Sequence, residues 1–262
     1  MKIENFFKDE KIEFYSAVDF SACRVINEGL LKRLGFTPRS VIVFLIPYYV
    51  NDGKNISSYA TSYDYHLYAK ELSFRLAGAL ENEDVNFRLF CDHSPIDERD
   101  AAAKAGLGKI GRNRLLLNEK HGSYVFIGEI FFDRDIEWHG KRGNNKIEHC
   151  EFCGKCIDAC PTGSLDGKPE CLSSITQKKG EISNEEANLI VKFNTVWGCD
   201  ACQKACPYNA RAQKTPIEFF HKNRIEKITE EKLLSLSDEE FAKRAFAWRG
   251  RQTLERNLKL FE

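Results

Sequence analysis

The sequence has no charge of one dominant sign, no long apolar run and no low-complexity tract. Lys plus Arg and Asp plus Glu both total 39, so the formal net charge is zero. That removes any whole-molecule attraction to nucleic acid or an anionic membrane, and a polyanion would have to meet a local basic patch. No stretch approaches the roughly 18 consecutive apolar residues of a membrane helix. The N-terminal MKIENFFKDEKIEF spreads charge where an export signal needs an apolar core, so we expect the start of a fold, a cytoplasmic protein and no membrane partner. Apart from two cysteine runs there is no internal repeat, which excludes a solenoid. What remains is a chain of 262 residues with 42% apolar side chains, enough for one large domain or two ordinary ones.

Ten cysteines in a reducing compartment are not a disulfide framework, and eight of them fall between Cys150 and Cys206. Cys150, Cys153, Cys156 and Cys160, followed by Pro161, have the C-x2-C-x2-C-x3-C-P spacing of bacterial ferredoxins. There, three cysteines bind one [4Fe–4S] cluster and the fourth reaches another. The second run, VWGCDACQKACP, aligns Cys199, Cys202 and Cys206 with Cys153, Cys156 and Cys160, but Val196 stands where the remaining cysteine should be. Cys171, between the runs, can supply the missing thiolate. The resulting assignment is Cys150, Cys153, Cys156 and Cys206 for one cluster, and Cys160, Cys171, Cys199 and Cys202 for the other. A pair of structural zinc sites is the alternative, since thiolate tetrads also suit zinc; the close triple spacing and the two Cys-Pro ends weigh against it. Cys23 and Cys91 stand apart and read as ordinary buried thiols.

Before the cysteines, SVIVFLIPYYV (40–50), NFRLFCD (86–92) and SYVFIGEIFFD (123–133) are β-branched or aromatic runs of strand length. Between the first two, Leu67, Leu72, Leu76 and Leu80 recur near helical spacing. Strands separated by helical stretches predict an α/β or α+β domain over 1–145. A ferredoxin-like double-cluster domain over 146–212 and a helical C-terminal segment over 213–262 complete the expected organisation. HGKRGNNKIEH (139–149) reads as a linker. Ser183 with Glu186, and Ser237 with Glu240, have capping-box spacing and predict helix starts.

The first domain needs a site that receives the electron. Asp92 sits at a predicted strand end three residues before Pro95, where a carboxylate can face a cleft. Gly106-Leu107-Gly108-Lys109-Ile110-Gly111 is a small-residue loop that backbone can use to approach a bulky ligand. As a dinucleotide fingerprint it fails, because the run does not open from a strand into a helix.

D-x-x-P-x-x-E-R from Asp92, then AGLGKIGRN, GSYVFIGEI and two cysteine runs joined by CLSSIT, resemble the epoxyqueuosine reductase family, cobalamin-dependent iron–sulfur enzymes of queuosine biosynthesis. VIVFLIPYY and YATSYDYH also match, so the resemblance covers roughly residues 38–210. It implies a cobalamin reduced through two [4Fe–4S] clusters, with electrons entering from a low-potential donor such as a ferredoxin or flavodoxin. It makes Asp92 the proton donor and a cofactor contact. Further cobalamin contacts carry onto Gly108, Lys109, Gly111, Asn113, Leu116 and Ser173. The implied substrate is epoxyqueuosine in a tRNA anticodon loop, handled by a monomer. Two alternatives stay open: a related cobalamin-dependent reductase of a small molecule, and a two-cluster electron carrier without cobalamin.

His66 lies in a D-x-H context, but Ala69 replaces the glycine of the cobalt-ligating signature, so we reject it as a cobalt ligand. Tyr63 and Tyr65 are candidate substrate-stacking neighbours, and Glu98 and Arg99 either pair with nearby charges at a helix start or contact the cofactor. Compared with the family, the segment before residue 38 reads as shorter than usual, and a short form without the helical-repeat extension is expected. Arg244, Arg249, Arg251, Arg256 and Lys259 form a basic stretch that could contact phosphates, or could be a solvated helix face.

Overall fold

The computed structural model describes residues 3–136, 143–167 and 170–262. The chain divides into two compact units, one made of residues 1–48 and 66–152 and the other of residues 49–65 and 153–262. Both are therefore built from two stretches of chain.

The first unit contains α1 (Ile3–Asp9), β1 (Tyr15–Asp19), α2 (Glu28–Lys32), β2 (Ser40–Pro47), α3 (Tyr65–Ala79), β3 (Phe87–Cys91), α4 (Glu98–Lys104), β4 (Lys109–Ile110), β5 (Leu116–Leu117) and β6 (Val125–Phe132). Four strands form a sheet in the order β1-β2-β6-β3, and every pairing is antiparallel. This resolves the expected mixed class as α+β. All eight residues of β2 are buried, which is why it reads as a continuous apolar run rather than an alternating one. On one face Val41, Val43, Leu45, Ile127 and Phe131 pack with Ala101, Ala102 and Ala103 of α4. On the other, Phe44 meets Phe7 of α1 at 5.3 Å between ring centroids. Gly128 lies opposite Phe44 in the register, and a Cβ there would come within 2.3 Å of the Phe44 ring. The strand pairing therefore needs glycine at this position.

Of the expected linker, residues 139–142 lie outside the described residues. The rest is stitched into the first unit: Asn145 N–H donates to the Lys104 carbonyl, Ile110 N–H to Glu148, and Cys150 N–H to Ile110.

The second unit carries short helices: α5 (Lys155–Asp158), α6 (Leu172–Thr176), α7 (Asn184–Lys192), α8 (Ala201–Lys204), α9 (Glu230–Leu234), α10 (Asp238–Ala242) and α11 (Arg251–Leu258). The capping box of Ser183 and Glu186 is present at α7, and the Ser237 side chain caps α10. Residues 49–65 run through this unit as a strap. Ser57 N–H donates to the Trp197 carbonyl at 2.8 Å, Val196 N–H to Asn55, and Ile225 N–H to Thr61. Ile56 and Ala60 join Trp197, Phe246 and Leu254 in one core. Asn257, fully buried, ties the carbonyls of Thr176 and Val196 together at 2.8 Å each.

Three residues of the basic stretch at the C-terminus take part in this packing. Arg244 is buried and donates to the Asn223 carbonyl, Arg251 to the carbonyls of Leu233 and Leu236, and Arg256 to those of Lys178 and Gly180. Those arginines bind backbone carbonyls, and Arg251 and Arg256 also line a cavity together with Arg249 and Lys179. No helix among the described residues is long and apolar enough to cross a membrane.

Candidate functional site

β3 ends at Cys91, and the next residue breaks the strand abruptly. Asp92 has φ +70°, and the His93 N–H donates to the Cys91 carbonyl across it at 2.9 Å. This is a γ-turn of positive φ, a rare and strained conformation for a residue with a side chain. The turn leaves the Asp92 carboxylate 60% exposed, 4.0 Å from Nε2 of His66 at the start of α3. Strain at an exposed carboxylate supports a functional position, since a structural turn would be cheaper with glycine.

The residues that follow anchor the turn. Asp97 caps α4 by accepting from the N–H groups of Arg99 and Asp100 at 3.2 Å each, and it pairs with Arg24. Arg99 turns to the Arg114 carbonyl at 2.8 Å. Glu98 accepts from the Asp92 backbone N–H, with Arg99 the opposite charge acting on it, and it acts in turn on a buried second acid, Glu129. Sequence reading missed Glu129. Its signal was a single charged residue inside the apolar run FIGEIFF.

The glycine loop is a small hairpin, β4 paired with β5. Gly108 and Gly111 are required by that hairpin: a Cβ would meet the Leu117 carbonyl at 2.6 Å or Asn113 Oδ1 at 2.3 Å. The Leu116 side chain is buried in the core beneath, so only its backbone could serve a ligand. Lys109 points to Glu148 and Glu151 at 3.9 and 3.6 Å. Asn113 is buried, its Oδ1 accepts from Leu115 N–H, and its Nδ2 has no partner. An orphaned donor in a buried loop is the feature here that suits a missing polar ligand. Next to it, Arg112 N–H donates to Cys150 Sγ at 3.3 Å, so the loop also holds the first thiol of the cysteine run.

In the second unit the thiols gather. Cys199 interacts with Cys171 and Cys160, and Cys202 with Cys199, Cys171 and Cys156. Burial pushes the Cys199 thiol up to about 11 and Cys202 to about 12, their neighbours adding to the effect. Such a crowd of thiols is unfavourable as thiolates until a cation binds them. Cys160 differs. Burial opposes its ionisation, yet bonds from Ser164, Leu165 and Thr162 override it and hold the thiol down at about 7. Backbone and hydroxyl donors on a sulfur are the surroundings an iron–sulfur cluster ligand needs. Ser173 stands two residues from Cys171 in α6, its hydroxyl accepting from Gln177 at 3.0 Å.

Two further tyrosines are committed elsewhere. The Tyr63 hydroxyl donates to Glu240 at 2.7 Å with its ring 4.7 Å from the Arg244 guanidinium, and Tyr65 is buried. Tyr63 itself is half-buried, so only Tyr65 is withdrawn from stacking by burial.

Residues 149–209 match the family described as a 4Fe-4S double cluster binding domain, which encloses all eight clustered cysteines. The chain is 37% identical over 195 residues to an epoxyqueuosine reductase of Pseudomonas aeruginosa, covering 71% of this chain and 53% of that one. It is 33% identical over 222 residues to the epoxyqueuosine reductase of Gloeobacter violaceus, covering 78% and 68%. The chain belongs to the epoxyqueuosine reductase family. It spans from about half to about two thirds of the length of these relatives. A crystal structure of an epoxyqueuosine reductase with an epoxyqueuosine-modified tRNA-Tyr stem loop has the same fold, with a TM-score of 0.76 at 23% identity, covering 99% of this chain and 80% of that one. As a member of the epoxyqueuosine reductase family, the chain carries a double [4Fe–4S] domain in its second half, and its sheet domain supplies the strained carboxylate.

Proposed function

We propose that the chain is a cobalamin- and iron–sulfur-dependent reductase that converts epoxyqueuosine to queuosine in tRNA. The observation that carries this reading is Asp92: an exposed carboxylate on a positive-φ turn, in a chain that also carries a double-cluster domain. The epoxyqueuosine reductase solved with a modified stem loop supports the substrate class.

The chemistry balances with these parts. Two C–O bonds of the epoxide break, a C=C bond forms, and the oxygen leaves as water after taking up two electrons and two protons. Electrons come from a low-potential donor of the cytoplasm, such as a ferredoxin or flavodoxin, to a monomeric enzyme. One cluster is held by Cys150, Cys153, Cys156 and Cys206, the other by Cys160, Cys171, Cys199 and Cys202. Cobalamin supplies a low-potential metal centre when bound. Asn113, with its unpartnered Nδ2, and the backbone of the 108–116 hairpin are the residues we assign to hold it. Asp92 gives a proton to the leaving oxygen, the role of a general acid.

Protein purified from cobalamin-supplied cells is expected to show a corrinoid absorbance band. Asn113→Ala is expected to bind cobalamin several-fold more weakly at unchanged iron content, the worth of about one hydrogen bond. Protein with its full iron but no affinity for cobalamin would overturn the reading.

A further inference from the structure

Asp200 stands between two of the clustered cysteines, one residue after Cys199 and two before Cys202. It heads α8 at the N-cap position, where an aspartate ordinarily accepts from the N–H groups of its own helix. Here the side chain makes no such bond. It turns instead to the strap: one oxygen accepts from the Ser57 hydroxyl, and the other from the Ser58 backbone N–H at 2.7 Å. The first N–H of α8, that of Ala201, goes to the Cys199 sulfur. The loop around the carboxylate is fixed from several sides. Gly198 N–H donates to Thr176 Oγ1 at 2.9 Å, and Thr195 Oγ1 donates to the Gly198 carbonyl at 2.8 Å. Gly198 has φ +72°, and a Cβ there would come within 2.5 Å of Ser57 Cβ. Strap and cysteine loop are therefore in direct contact, and the carboxylate is held at a set place beside Cys199.

What the carboxylate lacks is a cation. Asp200 is only 7% exposed. Lys54 and Lys204 line a small cavity with it, yet among the described residues it forms no ion pair; Lys204 lies 3.9 Å from Asp52 instead. A buried carboxylate with no opposite charge is costly. The fold does not need that charge, because an asparagine could accept from the Ser58 N–H and donate its amide to the Ser57 oxygen. Both hydrogen bonds would survive, so the charge itself calls for another reason.

Resting on the assignment of Cys160, Cys171, Cys199 and Cys202 to one cluster, we propose that Asp200 is a fixed negative charge that lowers the reduction potential of that cluster, with Ser57 and Ser58 holding it in place. A [4Fe–4S] cluster that takes one electron from the low-potential donor gains one unit of negative charge. A carboxylate beside its ligands opposes that gain, and burial limits the screening by water and salt. Cluster potentials respond to local charge and to hydrogen bonds on the sulfurs. The thiols already register the carboxylate: burial is what chiefly holds Cys199 and Cys202 up, and Asp200 adds to it at both. The result is a cluster that needs a strong reductant and passes its electron on with more driving force. Asp200 acts through the cluster its neighbours hold, which makes it a positioning residue rather than a catalytic one.

The test is a redox titration of the anaerobically reconstituted full chain, followed by electron paramagnetic resonance, with iron content measured alongside. Asp200→Asn is expected to keep about eight irons per chain, as in the parent. One cluster should rise in potential by about 59 mV or more, a tenfold change in its one-electron equilibrium, and the other should move less. Ser57→Ala keeps the charge and removes one hydrogen bond, so its potentials are expected to stay near those of the parent. Equal potentials in parent and Asp200→Asn at full iron overturn the proposal. A rise of the same size in Ser57→Ala also overturns it, because the effect then belongs to the loop and not to the charge. Loss of a cluster in Asp200→Asn makes the carboxylate a structural brace and overturns it too. Zinc or only four irons in the parent itself contradicts the ligand assignment and the inference with it, and the iron content separates that failure from the others.

Discussion

Asp92→Asn is expected to fold, take up both clusters and cobalamin, accept electrons, and turn over about 10²-fold or more slowly, the usual loss for a general acid. The amide is nearly the size of the acid, and asparagine is among the side chains best able to hold positive φ, so the turn at φ +70° should persist. The distance to His66 and the bond from the Asp92 N–H to Glu98 involve atoms the substitution keeps in place. What it removes is the transferable proton. If Asp92 only shaped the turn, asparagine would serve equally well. Steady-state turnover at matched cobalamin occupancy checks this, and near-parent rates would return the search for a donor to His66.

Cys171→Ala is expected to halve the iron. With all eight clustered thiols used, anaerobically reconstituted parent should hold about eight irons per chain, and the variant about four. Cys171 is the ligand outside both tight runs: it precedes α6 as its N-terminal flanking residue, is exposed, and interacts with Cys199 and Cys202. Its loss should remove the spectroscopic signature of one cluster and leave the other, and turnover should fall with it because the electron path is cut. Iron analysis with electron paramagnetic resonance of the reduced protein reads both. Zinc in place of iron, or unchanged iron in the variant, would contradict the assignment.

Much of the sheet domain could be read along the chain because its strands are apolar through and through. The runs at 40–50, 86–92 and 123–133 contain β2, β3 and β6, and the leucine spacing marks α3. The strand β1 escaped, since YSAVD is short and mixed. The strap of residues 49–65 could not be assigned to the second unit from local pattern, because what ties it there are backbone bonds to Trp197, Ile225 and Glu226, far away in sequence. The cysteine spacing announced the clusters, as close chemical spacing does. By contrast, the meaning of arginine and glutamate depends on where the fold turns them. Arg251 and Arg256 read as part of a basic stretch, and the fold adds bonds to backbone carbonyls that the sequence did not show. Glu98 read as a helix-start charge or a cofactor contact, and the fold adds the bond from the Asp92 N–H and the influence of a buried acid.

Enzyme carrying both clusters and cobalamin is mixed anaerobically with a low-potential reductant and an epoxyqueuosine-modified tRNA stem loop, and the nucleosides are read by mass spectrometry. The expected product is queuosine, lighter than its precursor by one oxygen atom, formed at two electrons per molecule and absent when cobalamin is left out. Unchanged epoxyqueuosine from fully loaded, electron-accepting protein, or product formation that ignores cobalamin, would contradict it.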